Sequence, residues 1–179
     1  MKHSVLLARD LRWLAAGSLW RHRFPPEARS WLDEPGSLTA RLACAFGAVR
    51  VTVLQEGRGR LLASERRRMG LGSGEWIWVR EVLLRAGDRP LVAARTVAPC
   101  STLRGAGAAF ARLGNRPLGE LLFTHPGVVR GGMEWSRVES GHWRLAEIPP
   151  PRWGRRTLYW IGAGPLLVNE FFLPGVMEG

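Results

Sequence analysis

Two apolar runs that read as buried strands each carry a charge. Arg80 lies within Trp76-Ile77-Trp78-Val79-Arg80-Glu81-Val82-Leu83-Leu84, and Glu170 within Leu166-Leu167-Val168-Asn169-Glu170-Phe171-Phe172-Leu173. Both runs are rich in β-branched and aromatic residues and bounded by Gly, Asp and Pro, which predicts strands. Alternation along a strand puts Arg80 on one face with Trp76, Trp78, Val82 and Leu84, and Glu170 with Leu166, Val168 and Phe172. An unpaired charge on a buried face is costly, so each needs a partner. Either the two pair with each other, or they hold a ligand of opposite polarity at its two ends. The second option makes this chain a small-molecule site.

The remaining elements follow from period and punctuation. Residues 4–15 read as a short N-terminal helix. Pro25-Pro26 opens a helix over Glu27 to Leu32, and Ser37 caps a second over Leu38 to Phe46, ended by Gly47. Val49 to Glu56 alternates as a strand, and a Gly/Arg loop runs to about residue 74. The Trp76–Arg85 strand turns at 86–89 into Pro90–Val97, an antiparallel hairpin. Ser101 to Leu113 and Pro117 to Phe123 read as a second helix-loop-helix unit. Residues 125–152 give no clear pattern, and Pro149-Pro150-Pro151 rules out regular structure there. Thr157–Ile161 and Pro165–Leu173 form a closing hairpin around Gly162-Ala163-Gly164. The fold class is α+β: one antiparallel sheet of about six strands with short helices packed on it as a single layer.

At 179 residues with 46% hydrophobic residues, the chain is expected to form one domain, 1–179, with nine tryptophans mostly in its core. The net charge of +11 resembles a nucleic-acid footprint, but Lys2 is the only lysine and the arginines are spread from Arg9 to Arg156. No basic stripe interleaves with aromatics on one strand face, which argues against a nucleic-acid partner. Arg66-Arg67-Arg68 reads as a solvated loop. Cys44 and Cys100 lack ligand spacing and read as buried or half-buried thiols, with a disulfide as the alternative. His3, His22, His125 and His142 form no metal motif. The apolar stretch after Lys2 is broken by Arg9, Asp10 and Arg12, so it is no signal peptide, and no run reaches the roughly 20 apolar residues that span a bilayer. These readings point to a cytoplasmic protein without metal or cofactor.

Ser37-Leu38-Thr39, Trp78-Val79-Arg80-Glu81-Val82-Leu83-Leu84, Ala94-Arg95-Thr96-Val97-Ala98-Pro99 and Ser101-Thr102-Leu103 occur in order. Leu113-Gly114, Pro117-Leu118-Gly119, Trp153-Gly154-Arg155-Arg156 and Pro165 through Pro174 follow. This ordered set, over about residues 30–174, resembles the chorismate pyruvate-lyase family of bacterial ubiquinone biosynthesis. The resemblance implies a six-stranded antiparallel sheet, with two helix-turn-helix flaps over an internal pocket, matching the helical units at about 25–46 and 102–123. It implies conversion of chorismate to 4-hydroxybenzoate and pyruvate by a monomer without cofactor, and it carries the ligand contacts onto Leu38, Arg80, Leu118 and Glu170. Leu38 stands where the family often has Met, which is harmless for a backbone contact. The segment between Gly131 and Trp153 is longer than in the family.

Chorismate carries a ring carboxylate, a ring hydroxyl opposite it, and an enolpyruvyl ether with a second carboxylate. The planar fork of Arg80 suits a carboxylate, and Glu170 suits the hydroxyl at the far end. Loss of the ether and of the ring hydrogen beside the hydroxyl aromatises the ring. Positioning and polarisation are then the main demands, met either by direct hydrogen transfer to the enolpyruvyl methylene or with Glu170 as base. An enclosed product implies slow release and product inhibition. Structural readings stand beside these: Arg80 paired with Glu81 or Glu170 across the sheet, Arg95 as a second carboxylate ligand or a surface residue, and Arg155 and Arg156 on a solvated hairpin or gripping the enolpyruvyl carboxylate. His125 and His142 read as loop residues. The functional rival is a non-catalytic sensor domain of the same fold that binds an aromatic or cyclic carboxylate.

Overall fold

The computed structural model describes residues 2–15 and 24–177, so Trp20 and His22 lie outside the described residues. One antiparallel sheet organises the chain. Its strands are β1 (Leu14–Ala15), β2 (Val49–Gly59), β3 (Ile77–Ala86), β4 (Arg89–Pro99), β5 (Val128–Arg137), β6 (Trp153–Ile161) and β7 (Gly164–Phe172), in the order β1-β5-β6-β7-β4-β3-β2. Six of these are full strands, as expected; β1 is a two-residue addition against Trp135 and Glu134 of β5. Both predicted hairpins form. They turn at Gly87 (φ +57°) and Gly162 (φ +59°), left-handed positions that suit glycine.

The helices are α1 (Pro26–Leu32), α2 (Leu38–Phe46), α3 (Ala63–Met69), α4 (Leu118–Thr124) and α5 (Pro174–Met177). Ser37 caps α2 by accepting from the Ala40 N–H at 3.3 Å, and Gly47 ends it, as its spacing predicts. Three segments differ from expectation. Residues 4–15 form no helix: the Ser4 hydroxyl takes the N–H groups of Leu6 and Leu7, and the chain runs on to β1 while Leu6, Leu7 and Leu11 are buried beneath the sheet. The expected loop around Arg66 holds α3, where Glu65 reaches back to the Leu62 N–H at 2.9 Å and Arg66 to Arg68 occupy the last turn, favourable for cations at a helix C-terminus. Gly105–Arg112 is a 3₁₀ helix rather than an α-helix, consistent with its glycines.

The unread stretch 125–152 contains β5. Its pattern is interrupted by a bulge between Arg130 and Met133, at Gly131-Gly132. A Cβ on Gly131 would sit 2.9 Å from the Leu158 carbonyl oxygen, so the neighbouring strand requires glycine there. Cys44 is exposed and Cys100 half-buried, and both are free, so Cys44 departs from the buried or half-buried expectation. No helix among the described residues is long and apolar enough to cross a membrane.

The expected helical layer covers one face of the sheet. Leu32, Leu38 and Leu42 of the α1–α2 unit pack on Val82, Leu84 and Val92, while Leu103, Phe110 and Leu122 pack on Trp78, Leu166 and Val168. The other face is covered as well, by Leu6, Leu7, Leu11, Val138 and Ile148 at one end and by Met69 of α3 at the other. Burial on both sides explains why β3 and β4 read as continuous apolar runs rather than alternating ones. Each face has two apolar clusters with polar side chains between them.

Candidate active site

Strand register puts Arg80 and Glu170 on the same face. One row across the sheet contains Glu56, Arg80, Thr96, Val168 and Thr157; a neighbouring row contains Val82, Ala94, Glu170 and Arg155. Arg80 on β3 and Glu170 on β7 are two strands apart, about 10 Å across the sheet. Both line a pocket floored by Val82, Leu84, Val92, Ala94 and Val168. The short side chains of Ala94 and Thr96 on the intervening strand leave room between the two charges.

The helical units form the roof. Leu38 and Thr39 come from α2, and Leu118, Leu122 and Phe123 from α4. The two units meet where the helices begin: a Cβ on Gly119 would lie 3.2 Å from the Ser37 hydroxyl. The first turns of α2 and α4, whose N–H groups lack intrahelical acceptors, therefore border the pocket together. Thus the structure brings together all four predicted residues, Leu38, Arg80, Leu118 and Glu170.

Neither charge pairs with the other. Arg80, 2% exposed, donates to Glu56 Oε2 at 2.6 Å and to the Arg116 carbonyl just before α4 at 3.4 Å. Glu170 is paired with Arg155 at 2.5 Å. Arg155 is 3% exposed and lines the pocket, so the solvated-hairpin reading fails: β6 begins at Trp153, four residues earlier than expected, which places Arg155 inside the sheet. Burial disfavours the Arg155 charge, but the Glu170 carboxylate outweighs it and raises the guanidinium pKa above its ordinary value.

Tyr159, two positions beyond Thr157 on the same face of β6, also lines the pocket. Burial, and secondarily the charge of Glu170, push its phenol pKa up, so it remains neutral at physiological pH. The sequence reading missed Tyr159; alternation counted from Arg155 is the signal that identifies it. Glu56, by contrast, comes into register with Arg80 only after an irregularity in β2 between Val53 and Gln55.

The other proposed arginine ligands lie on the opposite face. Gln55, Glu81, Arg95, Asn169, Arg156 and Glu134 form one unbroken row, one residue from each of six strands. Arg95 binds Glu65 Oε1 at 2.7 Å and Glu81 Oε1 at 2.9 Å, all three side chains being at most 1% exposed. It is therefore neither a pocket ligand nor a surface residue. Arg156 binds Glu134 at 2.6 Å and lies over the Trp13 ring. Glu81 accepts from the Ser4 hydroxyl and the Val5 N–H, so it is not a partner of Arg80. Among the described residues no three His, Cys, Asp or Glu side chains gather as a metal site.

The sequence model of the family described as chorismate lyase matches residues 7–178. A protein named probable chorismate pyruvate-lyase from Methylococcus capsulatus is 48% identical over 155 residues, covering 83% of this chain and 96% of that protein. One of the same name from Azoarcus is 38% identical over 178 residues, covering 91% and 94%. Among solved structures, the effector domain of PhnF from Mycobacterium smegmatis superposes with a TM-score of 0.52 at 12% identity, covering 78% of this chain and 89% of that one. That likeness concerns the fold alone. With the family model spanning nearly all of the sequence and relatives this similar along their own lengths, the chain belongs to the chorismate lyase family.

Proposed function

We propose that this protein is a chorismate pyruvate-lyase that converts chorismate to 4-hydroxybenzoate and pyruvate without metal or cofactor, the reaction that opens ubiquinone biosynthesis. The observation that carries this reading is the presence of Arg80 and Glu170 at separate positions in one pocket with an apolar floor. Arg80 takes the ring carboxylate with its fork, supported by the first-turn N–H groups near Leu38 and Leu118. Glu170 accepts from the ring hydroxyl, and the apolar floor and roof hold the ring between them. Breaking the ether C–O bond and moving hydrogen from the hydroxyl-bearing carbon to the enolpyruvyl methylene yields both products with atoms balanced. The pocket's contribution is orientation, charge placement and exclusion of water.

Incubating the purified protein with chorismate is expected to yield 4-hydroxybenzoate and pyruvate in equal amounts in the presence of a chelator. No turnover with retained ligand binding would instead support the sensor reading. Glu170→Gln keeps an acceptor oxygen near Arg155 but loses the negative charge. We expect kcat/KM per folded molecule to fall on the order of a hundredfold, the scale seen when one polarising contact is removed, in addition to a lower thermal midpoint, because Arg155 is left buried without its counter-charge. A loss of activity that merely tracks unfolding would count against the role of Glu170. Because the product keeps both the carboxylate and the hydroxyl, it fits both ends of the pocket. Adding 4-hydroxybenzoate at the start of a reaction is therefore expected to reproduce the slowing seen as product accumulates.

A further inference from the structure

Glu170 is held from one side by a single side chain that also reaches the first helical flap. Arg155 Nε donates to Glu170 Oε2 at 2.5 Å and Nη2 to Oε1 at 3.3 Å, a two-point contact. Nη1 turns the other way and donates to the Glu34 carbonyl at 2.8 Å, with the carbonyls of Trp31 and Leu32 at 3.4 and 3.5 Å. Those carbonyls belong to the end of α1 and the connection into α2, where a helix leaves acceptors without intrahelical donors. The guanidinium also lies over the Phe172 ring. Contacts on the flap side thus fix the fork, and the fork fixes the carboxylate.

We propose that Arg155 is a positioning residue for the reaction assigned above: it holds the Glu170 carboxylate oriented to accept from the hydroxyl of substrate and product, and it couples that orientation to the carbonyls of the first flap. The inference rests on the proposed reading of the pocket. A glutamate side chain loses substantial rotational freedom when it engages a ligand. With both oxygens already held, that cost falls on folding rather than on binding, and the hydroxyl meets an acceptor in place. Lysine keeps the charge but is a point cation, and it cannot hold two carboxylate oxygens and the flap carbonyls in one plane.

The test compares dissociation constants for 4-hydroxybenzoate and for benzoate, which lacks the hydroxyl, on the intact protein and on R155K and R155M. Their ratio isolates the hydroxyl contact. The unaltered protein is expected to prefer 4-hydroxybenzoate roughly ten- to a hundredfold, the range for a hydrogen bond to a charged group. In R155M the preference should fall to within about threefold while benzoate affinity is nearly kept, with R155K between the two. A merely structural role would weaken both ligands in parallel and leave the ratio intact. An unchanged ratio in a folded variant overturns the inference. If R155M fails to fold, R155K gives the same two outcomes. Should the unaltered protein bind neither ligand, the functional reading fails first, and this inference with it.

Discussion

Replacing Arg80 by Met is expected to reduce kcat/KM for chorismate by roughly a hundred- to a thousandfold, about 2.7–4 kcal/mol of transition-state stabilisation. In the proposed reading Arg80 is the side-chain cation for the ring carboxylate, and Met keeps most of the volume while removing every donor. The fold should tolerate the change better than the activity does. The partner left behind, Glu56, is 27% exposed and can be solvated, unlike a carboxylate sealed in the core. Lysine should recover little, because a bidentate carboxylate contact needs the planar fork. Steady-state kinetics, product affinity and a urea titration on the same preparations separate these effects. Full activity in Arg80→Met would remove Arg80 from the site, while activity lost in proportion to stability would make it a structural residue.

The contrast between Arg80 and its neighbour shows what the sequence can and cannot reveal. A charge inside an apolar strand run indicates a buried, partnered group, and Arg80 and Glu170 were legible on that ground. The same rule applies equally to Glu81, Arg95, Arg155 and Arg156, all of which are at most 5% exposed. Alternation separates neighbours within each strand, and the strand register joins them into two sets, with Arg80, Glu170 and Arg155 on one face and Glu81, Arg95 and Arg156 on the other. Alternation cannot say which face holds the site, because both faces carry buried charges under a covering layer. The family resemblance supplied that choice.

Elements governed by local chemistry were readable: the capped α2, the proline-led α1 and α4, and the two glycine hairpins. Those governed by distant contacts were not. Helix α3 is tied to the sheet by Glu65 beneath Arg95 and Asn169. The pattern of β5 is broken by glycines required by a neighbouring strand, and residues 4–11 stay non-helical while Ser4 and Val5 bond to Glu81. In each case tertiary partners override the local preference.

The buried polar network around Arg95 on the opposite face should dominate stability as the pocket dominates activity. Arg95→Met is expected to cost about 3–5 kcal/mol, the scale for breaking a buried ion pair by removing one partner. Total stabilities of small domains are only about 5–15 kcal/mol. Arg95 is the cation between Glu65 and Glu81, and it also donates to the Arg60 carbonyl, so the substitution leaves two carboxylates in a site that is almost fully dry. Burial opposes the Arg95 charge, but those carboxylates outweigh it and raise its pKa above the ordinary arginine value. A raised pKa on a cation gives stability that is complete below the unfolded value and lost only as pH rises through the folded one. The contribution of Arg95 should therefore stay constant across the neutral range. Replacing Glu65 and Glu81 by Gln in the Arg95→Met background should recover part of the loss, because the penalty lies in stranded charge rather than in a missing attraction. Urea midpoints for the single and triple variants decide it. A triple variant less stable than Arg95→Met alone would show that the carboxylates stabilise the fold through Ser4, Val5, Leu62 and Asn169 without needing the arginine.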